Sequence, residues 1–71
     1  MKYYFSINIT AKEFLPYYQG TIKDVVVRAT DGTKVQFPAM HLRKHLTSSG
    51  IQGYFCLQTQ QNKFLSLIKL K

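Results

Sequence analysis

Two histidines stand four residues apart in FPAMHLRKHLTSSG (residues 37–50): His41 and His45, with Arg43 and Lys44 between them. On an α-helix, imidazoles at i and i+4 share a face, which is the spacing of helical metal ligands. The intervening residues speak against that chemistry. HLRKH lacks the glutamate that makes HExxH catalytic, and two cations beside the rings repel a dication. Cys56 is the only soft third ligand, whereas structural zinc takes four. We therefore expect no metal and outward-facing histidines. With Arg43 and Lys44 they are candidates for gripping an anionic partner, more strongly once protonated below about pH 6.5.

Other reactive groups are scarce. Of three carboxylates, Glu13 belongs to a helix cap, Asp31 to a turn, and Asp24 begins a strand. Cys56 sits mid-strand with no acid or base near it in sequence, so it reads as a packed or half-buried thiol. One cysteine makes no intrachain disulfide. There is no glycine-rich phosphate loop. A catalytic site needs convergent groups that this chain hardly has. The expectation is a protein that is not an enzyme and carries no cofactor.

Charge is the feature that most asks for a partner. Ten Lys and Arg against three Asp and Glu give a net charge of +7. All three acids lie in the first 31 residues beside four bases, while residues 32–71 hold six bases and no acid. Such a surface attracts polyanions. Tyr4, Tyr17, Tyr18 and Tyr54 fall on or near polar faces, where rings beside cations can stack on bases or mark a core margin with the hydroxyl outward. The candidate nucleic-acid contacts are Arg28, Lys34, His41, Arg43, Lys44 and Tyr54. Named signatures are absent: QGYFCL has only a faint likeness to half of an RNP1 strand, and no helix-turn-helix, zinc finger or KH loop is present. The reading leans to RNA or single strands. The alternative is a protein–protein adaptor or regulatory module, as a monomer or a homodimer, since surplus tyrosines suit interfaces.

The elements that must position these residues are legible in part. In YYFSINI, Tyr3, Phe5, Ile7 and Ile9 alternate with polar positions, which predicts a strand. TAKE then forms a capping box between Thr10 and Glu13, with Ile9 and Phe14 as its hydrophobic staple. Pro16 should kink that helix or start a new turn, and YYQG ends it at Gly20. TIKDVVVRATDGTKVQF predicts a hairpin. A loop of Thr30 to Gly32 sets Ala29 opposite Thr33, Val27 opposite Val35 and Val25 opposite Phe37, leaving one face apolar; pattern thus selects register. Gly32 takes the left-handed position after a type I turn.

Pro38 opens a short helix whose Ala39, Leu42 and Leu46 face inward. IQGYFCLQT alternates again, with Ile51, Phe55 and Leu57 on one side and Gly53 marking a bulge or a close backbone approach. QQNK turns the chain. FLSLIKL is the last strand, apolar on both faces, so either doubly covered or half of an interface. The order β-α-β-β-α-β-β predicts an α+β fold. Its five short antiparallel strands form a strongly curved sheet or small open barrel with two short helices. An open sheet with both helices on one face is the alternative.

YYQG after the strand and capped helix, the DG hairpin, PAMHLR and GIQGYF follow in an order that resembles a bacterial family of small proteins, domain of unknown function 2835. The resemblance spans nearly the whole chain. It implies a bacterial, stand-alone single domain covering residues 1–71; no activity, ligand or site residue carries over from it. No targeting segment is visible, because Ser6 and Asn8 interrupt the apolar N-terminal run. No stretch reaches the roughly 20 apolar residues of a membrane helix. The expected location is the cytoplasm.

Overall fold

The computed structural model describes residues 1–71. It is α+β, with its five antiparallel strands divided between two open sheets. The elements are β1 (Lys2–Ile9), α1 (Ala11–Tyr18), β2 (Asp24–Arg28), β3 (Lys34–Pro38), a 3₁₀ helix (Ala39–His45), β4 (Ile51–Gln60) and β5 (Lys63–Lys69). β4 lies between β1 and β5, and β2 pairs with β3. The two sheets pack face to face without closing into a barrel. Their link at one seam is the Thr30 N–H donating to the Tyr4 carbonyl at 2.8 Å.

Local chemistry sets most boundaries. The Glu13 N–H donates to Thr10 Oγ1 at 3.1 Å, and the Thr10 N–H donates back to Glu13 Oε1 at 2.8 Å. This satisfies two amides that the helix would otherwise leave orphaned. α1 runs through Pro16 as one helix, so the missing amide costs a hydrogen bond without ending the element. It ends with Gly20 at φ +84, after which Thr21 and Ile22 both donate to the Pro16 carbonyl.

The β2–β3 register is the one the apolar pattern requires, with Val25 opposite Phe37 and Val27 opposite Val35. Gly32 is left-handed at φ +88, and Asp31 Oδ1 accepts from the Thr33 N–H at 2.9 Å.

One core fills the space between the sheets. Phe5 and Ile7 of β1, Phe14 of α1, Phe37 of β3, Leu42 of the 3₁₀ helix and Phe55 and Leu57 of β4 are its centre. The second helix departs from expectation in kind: it is 3₁₀ throughout, with Ala39 and Leu42 buried at the three-residue spacing that such a helix puts on one side.

β5 departs in phase. β4 advances one residue from Gln58 to Thr59 while β5 goes from Ser66 to Phe64, so Leu65 is an extra residue. This bulge turns Phe64 to the same side as Leu67, against the core. The phase change accounts for Phe64 and Leu67 sharing the core side, while Ile68 stays apolar and exposed on the other face.

Gly53 is a close approach. A Cβ there would lie 2.7 Å from both the Lys69 side chain and the Lys71 carbonyl. No helix is long and apolar enough to cross a membrane.

Candidate functional site

Of the six residues singled out by charge and ring type, Arg28, Lys34 and Arg43 divide between two ends of the hairpin. Arg28 and Lys34 stand directly opposite each other next to the turn, and Arg28 Nη1 donates to the Gly32 carbonyl at 2.9 Å. Four residue steps away, Asp24 pairs with Pro38, a separation of about 13 Å at strand rise. Arg43 borders a cavity with those two residues, so it belongs to the far end. Sequence leaves open whether these cations converge; the hairpin holds Arg28 and Lys34 apart from Arg43.

Tyr54 stands on the other sheet, beside a residue outside those six. Tyr4 and Tyr54 lie on the outer face of the three-stranded sheet with ring centres 6.2 Å apart and planes within 17°. The Tyr4 carbonyl is also where the hairpin tip is tied. The signal for Tyr4 was its place beside Ser6 and Asn8 on the polar side of β1. Strand alternation puts Lys2, Tyr4, Ser6 and Asn8 of β1, Gln52, Tyr54, Cys56 and Gln58 of β4, and Ser66 and Ile68 of β5 on this face. It carries no carboxylate.

The three carboxylates are held by neutral donors. Glu13 accepts from the Thr10 N–H, Asp31 from the Thr33 N–H, and Asp24 Oδ2 from Gln36 Nε2 at 3.1 Å. The thirteen ionised side chains thus leave their imbalance facing outward instead of cancelling inside.

The histidines are not the outward-facing cations that their spacing suggested. At three residues per turn, i and i+4 point about 120° apart. His41 stacks flat on Phe64, with centres 3.6 Å apart and planes within 8°. His45 meets Phe55 edge-on at 5.1 Å, and its Nε2 is buried with no hydrogen-bond partner. A shared metal face does not form, and no three of the His, Cys, Asp and Glu side chains come together. Cys56 is buried on the opposite side of its sheet, paired with Tyr4 and Ile68.

Burial, and then the Lys44 ammonium, hold His41 below the usual imidazole value of 6.5. Burial also leads at His45, followed by Lys44; the Leu67 backbone acts in the opposite direction, and Lys69 adds a further downward push. Both rings are therefore neutral in the fold at neutral pH. Protonation does not enlarge a basic surface; it works against the packing.

The sign follows from linkage. A depressed imidazole pKa gives stability that is complete above the unfolded value of about 6.5 and is lost as pH falls through it. The melting temperature should stay level from about pH 8 to 7, then fall as pH drops below about 6.5. A His41→Phe/His45→Gln double variant should flatten that drop, as thermal melts followed by circular dichroism would show. An equal drop in the variant would refute the assignment. Asp31, held below 3.8 chiefly by the Thr33 backbone amide, contributes stability that is lost only in a more acidic window.

The family model described as "Protein of unknown function (DUF2835)" matches residues 1–70, and the chain belongs to that family. Nothing among the curated proteins or the solved structures matches the chain.

Proposed function

We propose that the chain is a non-enzymatic binding module that takes single-stranded nucleic acid, RNA in the first instance, on the outer face of β1, β4 and β5. The reading rests on the near-parallel Tyr4 and Tyr54 rings, which stand on a carboxylate-free face tied to the hairpin tip that carries Arg28 and Lys34. Rings on an open sheet offer bases a surface to stack on, and flanking cations follow the phosphates. A net charge of +7, with each carboxylate occupied by a neutral donor, supplies long-range attraction. We place the protein in the bacterial cytoplasm, where the unpaired thiol of Cys56 would stay reduced.

The test is fluorescence anisotropy with labelled single-stranded RNA and duplex DNA at two salt concentrations. Binding should prefer the single strand and weaken steeply with salt. Tyr4→Ala/Tyr54→Ala should weaken it by about tenfold or more, the cost of losing one to two stacked bases. Arg28→Ala/Lys34→Ala should reduce the logarithmic salt slope by about 1.4, at roughly 0.7 per phosphate contact. No binding at low salt, or indifference to the tyrosines, would overturn the reading.

The adaptor or homodimer alternative draws on Ile68 and Leu70, 51% and 48% exposed. Ile68 is on the same face, and the Leu70 N–H donates to the Tyr54 carbonyl. A salt-resistant dimer in sedimentation that buries Tyr4 would replace the nucleic-acid reading.

A further inference from the structure

The far end of the hairpin holds a second surface of different character. A cavity of about 390 Å³ opens between the end of α1, the start of β2 and the 3₁₀ helix. Tyr18, Pro38 and Met40 supply its apolar walls, and Lys23 and Arg43 its cations. Tyr18 is 46% exposed and Met40 66%, a large apolar area left in water on so small a domain.

The cations are placed by the fold. Thr21 and Ile22 fold back onto the Pro16 carbonyl, which brings Lys23 to the cavity. The Arg43 guanidinium carbon sits 4.3 Å from the centre of the Tyr18 ring. Stacking holds a guanidinium by its face and leaves its N–H edges for another acceptor. The one carboxylate at the rim, Asp24, already accepts from Gln36.

We infer that this cavity docks a short acidic segment of a partner protein. An apolar side chain of the segment enters between Tyr18 and Met40, and flanking carboxylates meet Arg43 and Lys23. Charge complementarity carries the choice of occupant: an apolar slot bordered by two cations fits an apolar anchor between acids. A forked guanidinium matches a carboxylate with two parallel hydrogen bonds. Nucleic acid is the poorer occupant because Arg43 already covers one face of the only exposed ring there, whereas Tyr4 and Tyr54 are free of such a cover.

The experiment is a titration of the full chain, labelled with ¹⁵N, against a synthetic peptide with one phenylalanine flanked by glutamates. Amide shifts should centre on Gly20, Lys23, Met40 and Arg43. Lys23→Glu/Arg43→Glu should weaken binding about tenfold or more, as should replacing the peptide's glutamates by glutamine. Arg28→Glu/Lys34→Glu makes the same change in net charge at the hairpin tip and should weaken binding far less. Met40→Glu, at an exposed position that leaves the core intact, removes the apolar wall and should weaken binding comparably. Equal weakening by both charge reversals would reduce the effect to net charge and overturn the inference. So would shifts centred on Tyr4 and Tyr54, or displacement of the peptide by RNA. Tyr4→Ala/Tyr54→Ala should keep the peptide while losing RNA, so the two surfaces fail separately.

Discussion

Gly50→Ala is expected to unfold the protein or bring it close to unfolding. Gly50 is buried at φ +101, in a region that side-chain-bearing residues rarely adopt. A Cβ there would run into the Ile9 carbonyl oxygen and lie 2.6 Å from the Thr10 carbonyl carbon and 2.7 Å from the Ala11 nitrogen. These are backbone atoms at the junction of β1 and the capping box, so no rotamer change can relieve them. The surrounding turn is closed as well: Thr47 and Gly50 exchange backbone hydrogen bonds, and Gln52 Nε2 bridges the Ile9 and Ser49 carbonyls. Strain at such a backbone conformation costs about 1–3 kcal/mol, and the collision adds to it. A loss of at least about 3 kcal/mol is expected, against a total of about 4–10 kcal/mol for a chain this short. Urea denaturation followed by circular dichroism would show it. A variant that melts like the parent would refute the close packing of this turn against β1.

Phe55→Ala should come next, with a loss of about 3–5 kcal/mol. Phe55 is fully buried. It lies opposite Phe5 on the neighbouring strand, with ring centres 6.1 Å apart, and it carries His45 on its edge. Its removal opens a cavity under the 3₁₀ helix that the flanking strands cannot collapse into, because both are held by ladders. A second readout separates this from a general loss of packing. His45 loses a principal source of its desolvation, so its imidazole pKa should rise toward 6.5 in an NMR titration, while His41, stacked on Phe64, should move less. Phe55→Leu, which keeps most of the volume, should show smaller changes in both.

The parts of this fold that sequence makes plain are those where chemistry is local. Thr10 and Glu13 can do little else together. The hairpin register follows because a one-residue slip would put Val25 and Val27 on the opposite face from Val35 and Phe37. What stays hidden depends on distance in the chain. Nothing in PAMHLRKH distinguishes a 3₁₀ helix from an α-helix. The difference shows only once Phe64 and Phe55 are in place to receive the two imidazoles, and it dissolves the i, i+4 pair as a unit. The bulge at Leu65 is likewise set by a partner strand, although a strand apolar on both faces is its trace. Cys56 is buried on what reads as a polar face because Tyr4 and Ile68 flank it across the ladders. Of the candidate site, the residue types were visible. The place of Arg43 at the hairpin base was not, because it depends on the 3₁₀ helix packing Arg43 against Tyr18 of α1.

The neutral company of the three carboxylates has one more consequence, in how the protein should respond to ionic strength. Where attraction between ion pairs holds a fold, added salt loosens it. Here the net of +7 is self-repulsive, and Glu13, Asp24 and Asp31 are engaged with donors whose bonds salt screens little. Counterions should therefore firm the fold while they loosen its hold on any anion. A protein of this kind is at its least stable where it is most attractive to partners, and occupancy by an anionic partner would supply the screening that dilute buffer withholds.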